Sequence, residues 1–295
     1  MTRLMYDRLS DIGLGQPDPK LSYESDSLAN ATMPAALGCE VVFADDRYPA
    51  NPPLSEDQVR MLQPPPDIAA AFPMSEIIQQ ARIINERHGT DIRPSWPTMG
   101  IQNIATQTRG CDFFMDYHVD PELAKRLLDI SERLTLASWD YFILAGSKPE
   151  VFWNQNCTVP LVGPAVYEQH LLPYELALHD AAASNGVGFA IHHCGNFDEY
   201  APLYRRVKNV AMLEIGWGSD LRLALDMFPE AKVMCIVGHQ FVMDGPPALI
   251  RDTMRTMVET AGPNVQRVSF NISDLEHGTP DENVRALVDG LLPAG

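Results

Sequence analysis

Histidine and cysteine lie close together at one point of the sequence where they could bind a metal ion. His192 and Cys194 are two residues apart at the end of an apolar run. Because side chains alternate along a strand, both would point to the same side of a strand that ends here. Imidazole and thiolate are ligands that Zn²⁺ accepts, and a catalytic zinc needs about three protein ligands with one position open. The pair therefore indicates metal chemistry.

Two further residues could complete the set of zinc ligands. Cys157 follows the apolar run before this pair, and Glu214 lies near the end of the run after it. A single cysteine or histidine usually has a structural explanation, as a small buried side chain or a hydrogen-bonded core residue. Four residues that can ligate zinc, at the ends of three consecutive predicted strands, would rarely arise by coincidence. They predict a zinc site in which Cys157, Glu214 or both complete the ligand set.

Carboxylates and other polar side chains at predicted strand ends could contact a substrate. Asp45 and Asp46 follow the run Glu40–Ala44, and since adjacent side chains of a strand point opposite ways, only one aspartate could face a site. We assign Asp46 and Glu214 as candidate catalytic residues and Asp45 as a candidate substrate contact. A solvated loop edge explains the two aspartates equally well. Further candidates for an apolar wall and for polar contacts with substrate are Phe152, Asn154, Tyr167, Asn196, Trp217 and Asn271.

The elements that must position these residues alternate between strands and helices. Apolar runs that predict strands cover Glu150–Gln155, Gly186–His193, Val210–Trp217, Lys232–Gly238 and Arg267–Ser273, with helical patterns between them. Near-continuous apolar strands that alternate with helices are typical of a parallel sheet buried on both faces. No glycine-rich phosphate-binding motif follows any strand, so we predict a (β/α)8 TIM barrel rather than a doubly wound sheet. Reactive groups of such barrels collect at the carboxyl ends of the strands.

The N-terminal part of the barrel is less regular. Glu40–Ala44 and Arg93–Met99 bring the predicted strands to seven, and an eighth would lie near Lys20–Glu24 or be absent. We expect residues 1–36 to form an irregular N-terminal extension and residues 37–295 to form a single barrel domain. Amphipathic helices are predicted over Met74–His88 and Pro121–Phe142.

Charge and composition exclude several classes of protein. The chain has 295 residues, with 22 Lys+Arg against 39 Asp+Glu and a net charge of −17, which argues against binding nucleic acid or anionic membranes. No run approaches the ~20 apolar residues that cross a bilayer, and the start of the chain lacks the apolar core of a signal peptide. Five scattered cysteines do not predict a disulfide framework. We therefore expect a cytoplasmic globular protein.

The sequence resembles the uroporphyrinogen decarboxylase superfamily, which includes the cobalamin-dependent methyltransferases. The resemblance covers roughly residues 33–292 and depends on the order and spacing of several segments: Gly38–Asp46, Gly100–Ala105 with Gly110, Asp120–Leu123, Gly163–Glu168, Leu172–Tyr174, His192–Asn196 and Thr279–Val284. It implies a (β/α)8 barrel fold, in agreement with the alternation of elements.

The two branches of the superfamily differ in chemistry. The decarboxylases are cofactor-free and carry an arginine-rich N-terminal motif, which is missing here, and a chain with a net charge of −17 is a poor trap for a polyanion. The methyltransferase branch uses a His-x-Cys strand end to bind zinc, and His192 and Cys194 match it. That branch often has another cysteine on the last strand, where this chain has Ser269, Asn271 and Ser273. Cys157 or Glu214 would then replace that cysteine.

The resemblance implies a zinc-dependent methyltransferase that moves a methyl group from a small methylated compound, such as an aromatic methyl ether in O-demethylation, to a corrinoid (cobalamin). No Asp-x-His-x-x-Gly run occurs, so the corrinoid would arrive on a separate protein or free in solution. A homodimer is compatible with the sequence. The alternatives are a cofactor-free decarboxylase that uses Asp45 or Asp46, and a non-catalytic barrel with a binding or regulatory role.

Overall fold

The computed structural model describes residues 2–14, 28–93, 99–144, 146, 149–272, 275 and 278–292. Within these ranges the strands are β1 (Val42–Ala44), β2 (Arg47–Ala50), β3 (Val151–Gln155), β4 (Gly188–His193), β5 (Val210–Ile215), β6 (Lys232–Ile236) and β7 (Val268–Asn271).

The helices flank these strands in the sequence. They are α1 (Thr2–Leu9), α2 (Thr32–Ala36), α3 (Glu56–Met61), α4 (Met74–His88), α5 (Ile101–Arg109), α6 (Asp112–Val119), α7 (Pro121–Leu144), α8 (Gly163–Val166), α9 (Leu172–Ser184), α10 (Ala201–Tyr204), α11 (Leu221–Met227), α12 (His239–Asp244), α13 (Pro247–Ala261) and α14 (Asp281–Leu291). A π-helical turn, Tyr167–Leu171, joins α8 to α9. Short 3₁₀ helices cover Ser10–Ile12, Ala29–Ala31, Ile68–Ala70, Val159–Leu161 and Gly262–Arg267. No helix of the described ranges is long and apolar enough to cross a bilayer.

Strands β3 to β7 form a five-stranded parallel sheet in chain order. β3 pairs with β4 from Val151↔Gly188 to Gln155↔His192. The middle of β4 is fully buried, as expected for a strand covered on both faces. This part of the chain alternates between strand and helix as the sequence predicted, and the predicted amphipathic helices correspond to α4 and α7.

The predicted strand Glu40–Ala44 forms only at Val42–Ala44, and it does not belong to the parallel sheet. It pairs antiparallel with β2 in a separate two-stranded sheet. Asp45 and Asp46 make the turn between the two strands, because Ala44 pairs with Arg47. The assignment of this strand to the barrel was wrong, since an apolar run next to a two-residue turn also suits a hairpin. Most of the predicted strand Arg93–Met99 and all of Lys20–Glu24 lie outside the described residues.

The chain divides into two compact units. Unit A comprises Ser22–His193 and Pro202–Ala211, and unit B comprises Met1–Leu21, Cys194–Ala201 and Met212–Gly295. The proposed boundary between an extension of residues 1–36 and a single domain over residues 37–295 stays a prediction.

Unit A is built around β3, β4 and the long helix α7. Phe152 on β3 packs against Trp139 of α7, with ring centroids 3.6 Å apart, and against Phe189 of β4 at 5.7 Å. Phe152 is therefore a core residue of this unit.

Unit B has its own apolar cluster. Residues of α12, α13 and α14 form it with Val237 at the end of β6. Two ion pairs attach the N-terminal segment to α14: Arg8 pairs with Asp281, and Arg285 pairs with Asp11. The start of the chain is thus part of the same compact unit as its last helix.

Candidate metal centre

Three side chains that can bind a metal ion lie together. One ligand atom each from Cys157, His192 and Cys194 lies within 4.8 Å of the others, and no other group of three or more His, Cys, Asp or Glu residues in the described part of the chain could hold a metal in this way. Cys157 and His192 are half-buried and Cys194 is exposed. One imidazole and two thiols are a donor set of the kind that zinc binds, and three protein ligands leave a coordination position open.

The pairing of β3 with β4 brings Cys157 to His192. Gln155 is opposite His192 in the sheet, so Cys157 lies just beyond the carboxyl end of β3 at the same sheet edge. The backbone N–H of Asn156 donates to the carbonyl of His192 at 2.9 Å and extends the ladder by one bond. His192 and Cys194 are two residues apart at the end of β4, the spacing from which the sequence predicted a shared side.

The backbone that carries Cys194 is held by the loop after β5. A Cβ atom at Gly216 would lie 2.1 Å from the Cys194 carbonyl oxygen, so only glycine allows this approach. Asn196 donates to the Gly218 carbonyl at 2.8 Å and accepts a bond from the Asp198 backbone at 2.9 Å. These bonds fix the turn that follows Cys194. They use the side chain of Asn196, which the sequence predicted as a substrate contact.

Glu214 and Asn271 form a pair. Glu214 is buried on β5, and its carboxylate accepts a hydrogen bond of 2.9 Å from the Asn271 side chain on β7. The group of three ligand atoms does not include Glu214. Its predicted roles as a ligand and as a catalytic residue stay predictions, as does substrate binding by Asn271.

Trp217 follows β5 and is partly exposed. Its indole stacks on Phe241, with ring centroids 5.0 Å apart, and 37% of the residue is accessible. It is thus a rigid aromatic surface that a ligand could reach, and its role as a substrate contact stays a prediction.

Asn154 and Tyr167 meet at a buried glutamate that sequence reasoning missed. Glu175 on α9 accepts a hydrogen bond from Asn154 at 3.0 Å and another from the Tyr167 hydroxyl. All three side chains are buried. Burial raises the pKa of Glu175 to about 7, although its hydrogen bonds lower it. Burial and the Glu175 charge raise the pKa of Tyr167 well above its ordinary value.

The same buried network reaches the end of β4. Asn156 donates to Glu175 at 3.1 Å and to the Tyr204 hydroxyl at 3.4 Å. The Tyr204 hydroxyl lies 2.7 Å from Nδ1 of His193, which is fully buried. His193 therefore joins a structural network, whereas the neighbouring His192 belongs to the group of side chains that could hold a metal ion. The only signal in the sequence for this network is that several polar residues occupy predicted core positions.

The two aspartates predicted as acid and substrate contact lie elsewhere. Asp45 and Asp46 are exposed in the turn between β1 and β2. Neither is part of the group of metal-binding side chains. Their catalytic and binding roles stay predictions.

Comparison with known proteins gives a family and a structural neighbour. The model of the uroporphyrinogen decarboxylase (URO-D) family matches residues 29–291. This chain belongs to the URO-D family. The family fold is a TIM barrel, which confirms the predicted fold class and the predicted superfamily.

A solved structure of similar fold is a methyltransferase from Methanosarcina mazei. It matches with a TM-score of 0.65 and 18% sequence identity over 97% of this URO-D chain and 82% of the other. At this identity the likeness establishes a shared fold. No curated protein matches the chain.

Proposed function

We propose that this URO-D family protein is a zinc-dependent methyltransferase that moves a methyl group from a small methylated substrate, such as an aromatic methyl ether, to a corrinoid. The observation that carries the proposal is the group of Cys157, His192 and Cys194 at the ends of β3 and β4. Active sites of barrel enzymes occupy the carboxyl ends of the strands. The fold shared with a methyltransferase from Methanosarcina mazei supports the same class of reaction.

The donor set suits a soft, catalytic metal site. Zinc bound here would supply Lewis acidity towards the oxygen or sulfur atom that carries the methyl group. Cys157 and Cys194 would bind as thiolates and His192 through a neutral ring nitrogen. Cys194 is the most exposed of the three, so the group is accessible to solvent on the side of this residue. Glu214 is the candidate for a fourth contact.

The corrinoid would arrive on a partner protein or as a free cofactor, in keeping with a sequence that holds no Asp-x-His-x-x-Gly run. Trp217 offers an aromatic surface for a flat substrate such as a methyl ether of a phenol. Asn271 would orient a polar group of that substrate, whereas Asn196 holds the turn that follows Cys194.

Methyl transfer is preferred over cofactor-free decarboxylation for two reasons. A decarboxylase of the URO-D type has no use for a group of two thiols and an imidazole. The aspartates that would serve such a reaction, Asp45 and Asp46, lie exposed at a hairpin turn.

A methyl-transfer assay tests the proposal. The protein is incubated with a panel of methyl ethers and thioethers and with reduced cobalamin, with and without candidate corrinoid proteins. Methylcobalamin is followed by its absorbance. We expect its formation to require this protein and to stop when zinc is removed by a chelator and resume when zinc is returned. Zinc-independent transfer, or no transfer from any donor, would contradict the proposal.

A further inference from the structure

We propose that Asn103 and Glu175 are positioning residues for Cys157, which hold residues 155–158 from two sides so that the thiolate stays beside His192. The inference rests on the proposed metal site and adds the residues that set its affinity. All of these residues belong to unit A.

Asn103 lies in the first turn of α5 and holds the chain on both sides of Cys157. Its amide nitrogen donates to the Gln155 carbonyl at 2.9 Å. Its side-chain oxygen accepts from the Thr158 backbone N–H at 3.0 Å and from the Thr158 hydroxyl at 2.8 Å. One buried side chain thus closes a bridge across the segment that contains the ligand.

The start of α5 is itself fixed against this segment. The Gly100 N–H donates to the Gln155 carbonyl at 3.0 Å, and a Cβ atom at Gly100 would lie 2.1 Å from that oxygen. Gln102 donates to the Thr158 hydroxyl at 3.1 Å and accepts from the Tyr117 hydroxyl at 2.9 Å. The start of α5, which carries Asn103, is therefore held in place by hydrogen bonds on both sides.

Glu175 holds the segment from another helix, α9. Asn156, the residue before Cys157, donates to both of its carboxylate oxygens, at 3.1 and 3.3 Å. Asn156 also donates its backbone N–H to the His192 carbonyl at 2.9 Å. Glu175 therefore positions the residue that connects the Cys157 segment to the His192 strand end.

The pattern of contacts favours a role in ligand placement over general stability. Residues 156–158 have no regular secondary structure, so their conformation depends on side chains rather than on a helix or ladder. The hydrogen bonds of Asn103 are made to Gln155 and Thr158, on either side of Cys157, and do not involve the Cys157 thiol. Loss of groups that orient metal ligands typically costs about 10- to 100-fold in metal affinity.

The test compares metal affinity with folding stability in Asn103→Ala. Zinc affinity is measured by competition with a chromophoric chelator, and Co²⁺ is used to record the thiolate-to-metal absorption band. We expect zinc binding about 10- to 100-fold weaker and a weaker cobalt band. Thermal melts of the metal-free proteins report the loss of stability separately.

Asn85→Ala is the matched control. Asn85, in the last turn of α4, makes the same three kinds of bond to the segment after the helix: it donates to the Ile92 carbonyl at 2.8 Å and accepts from the Ile92 N–H at 2.7 Å and the Thr90 hydroxyl at 2.8 Å. The Asn85→Ala substitution should lower the stability of the fold and leave the metal affinity unchanged. Thr158→Val, which removes only a hydroxyl, replaces Asn103→Ala if that variant does not fold, and we expect it also to weaken binding.

Glu175 is tested by rescue. Glu175→Ala should weaken zinc binding, whereas Glu175→Gln should restore it, because the glutamine carbonyl can still accept from Asn154 and Asn156. If the wild-type protein binds neither zinc nor cobalt, the proposed function fails and this inference fails with it. If the wild-type protein binds zinc and the Asn103 and Thr158 variants bind it within twofold of wild type, the inference alone is overturned.

Discussion

At the scale of the residue, the candidate metal centre has two parts: the group of Cys157, His192 and Cys194, which could hold a metal ion, and the buried Glu175, which contacts the residue before Cys157. The group containing His192 and Cys194 could be predicted from the sequence. Two residue types that bind metals, two positions apart on a strand, point to the same side of that strand. Glu175 has no such signal, since a glutamate in a helix is normally solvated. Only the fold shows that this carboxylate is buried against Asn154, Asn156 and Tyr167.

The Cys194 thiolate should be essential for metal binding and dispensable for folding. We expect Cys194→Ser and His192→Ala to lose bound zinc and methyl transfer and to keep their circular dichroism spectra, because the site lies outside the core. Cys111→Ser is the control, since Cys111 is also exposed but belongs to no group of ligands in the described part of the chain. Full zinc occupancy in both site variants would refute the ligand assignment.

Cys157 and Glu214 distinguish two ligand sets. Cys157→Ala should weaken zinc binding strongly, because its ligand atom lies within 4.8 Å of those of His192 and Cys194. Glu214→Gln keeps the shape of the side chain and can still accept from Asn271, so it should lower affinity only if the carboxylate binds the metal. Chelator competition on both variants measures the difference. Unchanged zinc affinity in Cys157→Ala would show that Cys157 is not a ligand.

Glu175 makes stability depend on pH. Its pKa rises from 4.5 to about 7 in the folded protein, so the folded state binds this proton more tightly than the unfolded state. Wild-type stability should therefore fall as pH rises from about 4.5 to 7, by on the order of 3 kcal/mol from this group.

Glu175→Gln cannot ionise and should not show this loss. We expect the stability difference between Glu175→Gln and wild type to increase with pH across that window and to level off above it. Urea unfolding at a series of pH values measures it, with the exposed Glu259→Gln as control. Parallel pH profiles for wild type and Glu175→Gln would show that the carboxyl does not titrate in this way.

At the scale of the element, alternation predicted the parallel part of the fold and failed where local turns decide the pairing. Strands β3 to β7 are apolar runs separated by helices, a pattern that is typical of parallel sheets. The run at Val42–Ala44 looks similar in sequence, but a turn at Asp45 and Asp46 lets it pair with the next segment instead. Hydrophobic periodicity alone does not distinguish a strand that enters a hairpin from one that joins a parallel sheet, because the length of the following turn decides between them.

We expect glycine to be required at position 216, because the segments after β4 and β5 approach each other closely there. Gly216→Ala would place a methyl group 2.1 Å from the Cys194 carbonyl oxygen, so the backbone of Cys194 must move. We expect a loss of about 1–3 kcal/mol of stability together with weaker zinc binding. Gly262→Ala, which meets no atom within 4 Å but has a positive φ of 52°, should lose stability alone. Unchanged zinc affinity in Gly216→Ala would show that the contact between Gly216 and the Cys194 backbone does not affect metal binding.

At the scale of the whole molecule, charge limits the choice of substrate. A net charge of −17 repels polyanions, so the substrate should be neutral or carry a single negative charge. Incubation with uroporphyrinogen should give no loss of carboxylates, as followed by chromatography of the oxidised porphyrins. Stepwise decarboxylation would instead assign the protein to the cofactor-free reaction of its family.

The proposed function requires this URO-D family protein to bind a catalytic metal at Cys157, His192 and Cys194. The most direct measurement is the metal content of protein purified without chelators, by inductively coupled plasma mass spectrometry, in wild type and in Cys194→Ser. We expect about one zinc per chain in the wild type and almost none in the variant. Absence of stoichiometric metal from the wild type, or equal zinc in both proteins, would contradict the account.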